Sequence, residues 1–291
     1  MPRWLLWSLV AVLCWGLWAV MSKAIGDAIT AAQSQALSTI GLLPVMIALG
    51  LSRRLDVSGR RSRGITAALV AGLLACAGNV AYYHALNSGA KAATVVPLTA
   101  LYPLLTIGLA VLLLREKLNL VQVGGVLLSL AAIYLFNVSS SEGVFSSGLG
   151  YALLPIAFWG VAGFLQKIST NHLSGELSCL WFLAAFIPVA TAILWREPLT
   201  GQVPPKVWAL AAALGLFFAL GNFALLEACA SQGKASVVVP LTALYPVVSV
   251  PIAILFFGER IAAREAAGIA LALVSVVALS WEKPADKKEP A

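Results

Sequence analysis

Charge is scarce in this chain of 291 residues. Asp, Glu, Lys and Arg make up 11% of it, and 60% is hydrophobic. A soluble domain carries about 25% charged residues, so a water-exposed globular fold is excluded before any motif is read. Histidine is rarer still, with only His84 and His172. That leaves no histidine cluster for a metalloenzyme and no HExxH pair. The four cysteines, Cys14, Cys76, Cys179 and Cys229, stand singly within apolar runs without CxxC spacing. They read as small core residues, not as disulfides or metal ligands. No GxxxxGK[ST] loop is present, which removes a built-in ATP drive, and no GxSxG elbow offers a serine nucleophile. No catalytic residue, metal or cofactor is expected.

The charge that is present has a pattern. A net charge of +7 raises the question of nucleic acid. The basic residues fall in short segments between apolar runs, however, where phospholipid head groups and the insertion machinery account for them. The expected partners are the bilayer and a small molecule, with no nucleic acid. Counting between successive charged residues gives ten windows: 4–22, 28–52, 64–90, 92–114, 118–141, 143–166, 177–195, 207–226, 235–258 and 266–281. A membrane-spanning helix needs about 20 apolar residues. The last window is short, so the tenth helix is expected to start nearer Ala262, with Arg264 and Glu265 in its first turn. Residues 4–22 form too long an apolar run for a secretory signal, and no small-residue cleavage site follows, so they read as a span. Ten spans put both termini on one side. That side carries thirteen Lys and Arg residues against six on the other, five of them in the loop 53–63. The bias places both termini in the cytoplasm.

The stretch Val95-Val-Pro-Leu-Thr-Ala-Leu-Tyr-Pro103 returns unchanged at 238–246. A lysine precedes each copy by four residues (Lys91, Lys234), and a glutamate follows each by thirteen (Glu116, Glu259). Further matches extend the repeat: Trp15-Gly16 with Trp159-Gly160, Lys23 with Lys167, Gly78-Asn79 with Gly221-Asn222, and Gly125 with Gly268. The chain divides into a first repeat at 1–138, a Gly/Ser-rich linker at 139–148, a second repeat at 149–281, and a disordered tail at 282–291. Five crossings is an odd number, so the second repeat enters the membrane from the opposite side. The fold class is therefore all-α integral membrane, with ten transmembrane helices in two inverted five-helix repeats. Repeats of this kind build secondary transporters, with the site near the midplane.

Within that frame several residues carry chemistry. Pro97, Pro103, Pro240 and Pro246 free backbone carbonyls, and Pro103 and Pro246 are expected to kink their helices. Thr99, Tyr102 and Thr106, like Thr242, Tyr245 and Ser249, share one helical face. Tyr102 and Tyr245 read as walls of a cavity because a buried hydroxyl needs a partner. Asn79 and Asn222 offer amide donors and an acceptor to a substrate, or join helices. Trp15 and Trp159 lie mid-helix and read as cavity lining. His84 and Glu227 follow each Asn by five residues. Intramembrane ionisable groups are functional by default, so both are candidates for a coupling proton. Lys23 and Lys167 snorkel to the interface, unless the substrate is an anion that they hold. Glu116 and Glu259 read as partners of the following helix N-termini.

The ten-helix pattern, Trp-Gly in the first helix of each half, the Pro-Leu-x-x-Leu-x-Pro helix and the Glu-Lys/Arg after it (Glu116-Lys117, Glu259-Arg260) resemble the EamA-like family of the drug/metabolite transporter superfamily. The resemblance implies a carrier in a bacterial inner (plasma) membrane, with a central cavity lined by helices one, three, four, six, eight and nine. It implies a small polar metabolite as substrate, an amino acid or related compound being exported. Related branches exchange phosphorylated sugars or nucleotide sugars. A membrane assembly protein without transport is the alternative of another class.

Overall fold

The computed structural model describes residues 2–114, 118–137, 147–231 and 235–281. They form thirteen α-helices and one short 3₁₀ turn at Gly26–Ala28: α1 (Arg3–Ile25), α2 (Ala31–Gly50), α3 (Arg61–Asn87), α4 (Ala92–Thr99), α5 (Pro103–Leu114), α6 (Leu120–Asn137), α7 (Ser147–Thr170), α8 (Gly175–Ala184), α9 (Phe186–Arg196), α10 (Pro205–Ala230), α11 (Ala235–Thr242), α12 (Pro246–Phe257) and α13 (Ala263–Leu279). Three pairs, α4–α5, α8–α9 and α11–α12, are single crossings interrupted near the middle. The crossings number ten. Eight are long and apolar enough to span a bilayer by length and composition, and α6 and α13 complete the set.

Local chemistry sets the helix starts. The Thr30 hydroxyl accepts from the Gln33 N–H at 3.1 Å, and the Gln33 side chain accepts from the Thr30 N–H at 3.0 Å. This closes a capping box over α2. At the equivalent place in the second repeat the Ser174 hydroxyl accepts from the Leu177 N–H. Asn119 and Gln122 form the same reciprocal pair over α6. Glu265 accepts from the Ala262 N–H at 2.8 Å over α13, as expected for a helix starting there. The expected linker and tail fall largely outside the described residues, as do Glu116, Lys117 and Lys234. The helix α7 opens at Ser147, inside the stretch assigned to the linker.

The kink expected at Pro103 is a full interruption. Pro103 has no N–H, so the Thr99 carbonyl lacks its helical donor. Instead Tyr102 N–H reaches Thr99 O at 3.1 Å, and Leu104 and Leu105 reach the Leu101 and Tyr102 carbonyls at 3.0 and 3.1 Å. Tight three-residue turns thus carry the chain across the break without stranding backbone groups in lipid. The second repeat does the same between Thr242 and Pro246. A third break, between α8 and α9, was not expected. It precedes Pro188, whose missing N–H leaves the Ala184 carbonyl without a helical partner.

The halves interlock instead of sitting side by side. The helix α1 packs along α10, and α7 along α3. The helix α2 packs against α10, and its counterpart α8 against α3, while α6 pairs with α13. Exchanging the two repeats maps each contact onto another. On the N-terminal face the loop before α3 pairs with the loop before α8. Ser58 and Gly59 donate to the His172 carbonyl at 2.9 and 3.1 Å, and Ser174 donates to the Asp56 carbonyl at 2.9 Å. The outer surface is apolar. Leu112 and Leu113, and their equivalents Leu255 and Phe256, are largely exposed, as residues facing acyl chains should be.

Candidate substrate cavity

The two breaks meet at the centre. Around them lies a small cavity of about 50 Å³. Its walls come in pseudo-symmetric pairs: Trp15 and Trp159, then Tyr102 and Tyr245. The ring of Trp15 meets Tyr245 edge-on, with centroids 6.3 Å apart and planes at 84°. Trp159 meets Tyr102 at 6.2 Å and 89°. Each contact crosses between repeats. Edge-to-face geometry is the favoured arrangement of aromatic pairs.

The repeated dipeptides explain how the rings get there. The indole edge of Trp15 lies over Gly221 and that of Trp159 over Gly78; a β-carbon at either glycine would overlap the ring. Each Trp-Gly dipeptide also places its glycine against the opposite half. Gly16 abuts the Val248 side chain and the Tyr245 carbonyl, and Gly160 abuts Leu105 and the Tyr102 carbonyl. The matched motifs Trp-Gly, Gly-Asn and Tyr-Pro thus assemble into two copies of one joint.

Other walls break the symmetry. Trp18 stacks on Tyr82 with centroids 5.1 Å apart, and its indole donates to the Tyr83 hydroxyl at 3.1 Å. Phe182 and Phe218 close the apolar side. Gln166 donates to the Asn222 carbonyl oxygen at 3.1 Å, and Asn222 donates to the Phe218 carbonyl at 2.9 Å. Trp18, Gln166, Phe182 and Phe218 were not singled out in the sequence. Trp18, Gln166 and Phe218 lack a like residue in the other repeat, which has Ala162, Ser22 and Ala75 at those positions.

The donors at this wall are unevenly used. The Tyr245 hydroxyl and the Thr99 hydroxyl lie 3.2 Å apart and share a hydrogen bond. The mirror pair does not close, since Tyr102 faces Thr242 while its buried hydroxyl has no partner. The indole nitrogens of Trp15 and Trp159 are also buried without acceptors. Thr106 donates to the Gly160 carbonyl at 2.8 Å, and Ser249 bonds back to Tyr245. Both of these hydroxyls therefore serve the scaffold.

Of the expected site residues, the structure brings Trp15, Tyr102, Trp159, Asn222 and Tyr245 to one cavity. Asn79 is buried beside Gly78 with its carbonyl oxygen unpartnered, and is not part of the wall. His84 is exposed on α3, its ring 4.2 Å from that of Tyr151, in a lateral groove it shares with Thr30 and Glu197. Glu227 stands at the N-terminal face against Gly175, with Glu176 and Arg54 near it. Lys167 stands on that face too, 3.5 Å from the Cys229 carbonyl.

On the opposite, distal face Lys23 pairs with Glu259 at 3.1 Å and donates to the Ala90 carbonyl at 2.8 Å. Glu259 also accepts from the Ala92 and Ala93 N–H groups at 2.9 and 2.8 Å. It was expected to serve the start of the helix that follows it. It caps α4, from the other repeat, and Glu265 takes the role at α13. Lys91 pairs with Glu265 at 2.9 Å. Two ion pairs therefore tie the first repeat to the second on the distal face. Among the described residues no Asp, Glu, Lys or Arg lines the cavity.

Ten crossings in two inverted repeats around a central cavity define an integral membrane protein of the two-repeat carrier class. Residues 2–138 and 146–281 each match the EamA-like transporter family. The chain belongs to that family, whose members are membrane transporters of small molecules and not, in general, enzymes. A relative, the uncharacterized protein MJ1333.1 of Methanocaldococcus jannaschii, is 31% identical over 101 residues. Those residues make up 35% of this chain and 72% of the relative, so the relative is about as long as one repeat. A solved structure described only as "Crystal structure of protein" superposes with a TM-score of 0.68 at 20% identity, covering 94% of each chain. That likeness concerns the fold.

Proposed function

We propose that the protein is a secondary transporter of small polar metabolites working by alternating access, amino acids and related compounds being the first class to test. It would sit in a bacterial inner (plasma) membrane with both termini in the cytoplasm. The observation that carries this reading is the paired wall: Trp15 and Tyr245 on one side, Trp159 and Tyr102 on the other, each pair spanning the two repeats. A site built across an inverted repeat reports any rocking of the halves directly to the substrate. The distal ion pairs support the same reading, because they hold one mouth shut through polar contacts that can exchange partners. A carrier changes face only through differential affinity for its states.

The anion-exchanger reading is not favoured. Lys23 and Lys91 are engaged by Glu259 and Glu265. Lys167 lies off the cavity wall and Lys234 outside the described residues. A dry, fully packed centre would have favoured an assembly protein, and a central cavity lined from both repeats does not.

The test is purified protein in proteoliposomes, assayed for counterflow of labelled amino acids, sugar phosphates, nucleotide sugars and lipophilic cations. Saturable exchange of one class, lost in a Trp15→Ala, Trp159→Ala double variant that still folds, is the expected result. No saturable exchange of any solute would overturn the carrier reading.

A further inference from the structure

We propose that the protein carries a lipid site on its distal flank, separate from the central cavity, and that its occupant is a diacyl phospholipid with a phosphoethanolamine headgroup.

Two grooves open sideways beside α9, one of about 730 Å³ and one of about 510 Å³. They share an edge. Leu73 on α3 lines the smaller groove, and Ala77, Val80 and His84 line the larger. These four positions fall at helical spacing on one outward stripe of α3. The opposite walls differ. The helix α9 closes the smaller groove, and Leu154 and Phe158 of α7 close the larger. Glu197, just past the end of α9, lines both. Leu73 lies near the middle of α3 and His84 near its distal end. The rise between them is about 16 Å, and the hydrocarbon of one leaflet is about 15 Å deep. The grooves therefore run the depth of the distal leaflet and meet at one headgroup position, as the two chains of a single lipid do.

That position is charged, and both repeats build it. The Thr30 hydroxyl, at the start of α2, donates to a Glu197 carboxylate oxygen at 3.0 Å. The Gln33 amide donates to the Glu197 and Pro198 carbonyls at 3.4 and 3.2 Å. These bonds hold the Glu197 loop against the first repeat. Arg196 stands beside it on the rim of the smaller groove. Both side chains are exposed, and among the described residues neither forms an ion pair. The rim thus presents one charge of each sign, side by side.

Headgroup chemistry selects the occupant. Acyl chains gain little from the grooves over bulk lipid, since tails are as apolar as the walls. The grooves set where the chains lie, and the headgroup decides which lipid stays. A phosphate suits the planar fork of Arg196. The primary ammonium of ethanolamine can donate to Glu197 at the same time. The quaternary ammonium of choline has no N–H to give. Phosphatidylglycerol brings no cation at all, and sets an uncompensated negative charge beside the Glu197 carboxylate. The walls come from α3 in the first repeat and from α7 and α9 in the second, so a lipid seated there bears on both halves.

The full chain, purified in detergent, is titrated with dioleoyl phosphatidylethanolamine, phosphatidylcholine and phosphatidylglycerol. Native mass spectrometry counts bound lipid, and melting temperature follows stability. The ethanolamine lipid is expected to bind at least about threefold more tightly than the other two, within the range of an exposed ion pair. Glu197→Gln keeps an acceptor for Thr30. It is expected to bring the ethanolamine and choline lipids to equal affinity, with the lipid-free melting temperature unchanged. Ala77→Trp and Ala192→Trp fill one groove each from exposed positions and are expected to weaken binding of all three lipids. Equal affinity of the three lipids overturns the inference, as does preference for the choline or glycerol headgroup. An ethanolamine preference that survives Glu197→Gln overturns it too, and so does binding that survives both tryptophan variants. None of these outcomes bears on the carrier reading, which counterflow tests.

Discussion

The distal ion pairs give the sharpest prediction. In the variant Glu259→Gln, one carboxylate oxygen becomes an amide that cannot accept from an N–H. The native carboxylate makes three contacts: Lys23 Nζ at 3.1 Å, and the N–H groups of Ala92 and Ala93 at 2.9 and 2.8 Å. The side chain is only 7% exposed, so solvent screens these contacts weakly. Hydrogen bonds to an ionised group contribute about 1.5–3 kcal/mol each. Gln keeps one acceptor, and Lys23 keeps the Ala90 carbonyl and partial access to water. The net loss is therefore about 2–4 kcal/mol, charged to the distal-closed state alone. That shifts the closed-to-open ratio by a factor of about 30 to 900. Ser22, buried one residue before Lys23, is a suitable reporter. With the four native cysteines replaced by serine and Ser22 changed to Cys, a membrane-impermeant maleimide reads the opening. Labelling from the distal side should accelerate at least tenfold in Glu259→Gln. A lower melting temperature with unchanged labelling would refute the reasoning and leave the pair as a structural cap.

Three further outcomes follow from the geometry. Gly221→Ala and Gly78→Ala push a β-carbon into the Trp15 and Trp159 rings and should destabilise by about 1–3 kcal/mol each, as overpacking does; adding Trp15→Ala to Gly221→Ala should recover part of that in a thermal denaturation cycle. Pro103→Ala restores a donor to the Thr99 carbonyl, so the break should tighten towards continuous helix; counterflow should fall while the melting temperature holds or rises. Glu227→Gln should leave folding intact and flatten the pH dependence of flux if a coupling proton sits there, and an unchanged pH profile would end that role.

How much could be read from the chain alone depended on symmetry and on charge. Charged residues mark the ends of nearly every crossing, which is why windows such as 92–114 and 207–226 coincide with or fall inside α4–α5 and α10. The repeat exposed Trp15, Trp159, Tyr102 and Tyr245 because each has a twin, and these twins, unlike others, lie mid-membrane where the halves meet. It hid Trp18, Gln166 and Phe218, whose counterparts are Ala162, Ser22 and Ala75; asymmetric walls leave no mark in a self-comparison. The same logic paired His84 with Glu227, yet equivalence alone says nothing of depth, and both lie away from the cavity on opposite faces of the molecule. Glu259 was assigned to its neighbour in sequence, whereas its partners Lys23, Ala92 and Ala93 belong to the other repeat. Only assembly brings them together. The break before Pro188 left a signal in the proline itself, but no repeat drew attention to it.

The Trp-over-Gly joint has a further consequence. Each repeat carries both a tryptophan and a glycine socket, but its own Trp15 fits the socket at Gly221, and Trp159 the one at Gly78. A repeat cannot close on itself. A chain containing one repeat alone would find its complement only in a second copy inserted upside down. Two-way insertion would then be a condition of assembly for such a chain. Fusing the copies through a segment that leaves both termini on one side removes that dependence, and frees each half to diverge. The aromatic wall that Trp18 and Phe218 add, one from each half and neither matched in the other, is what that freedom permits.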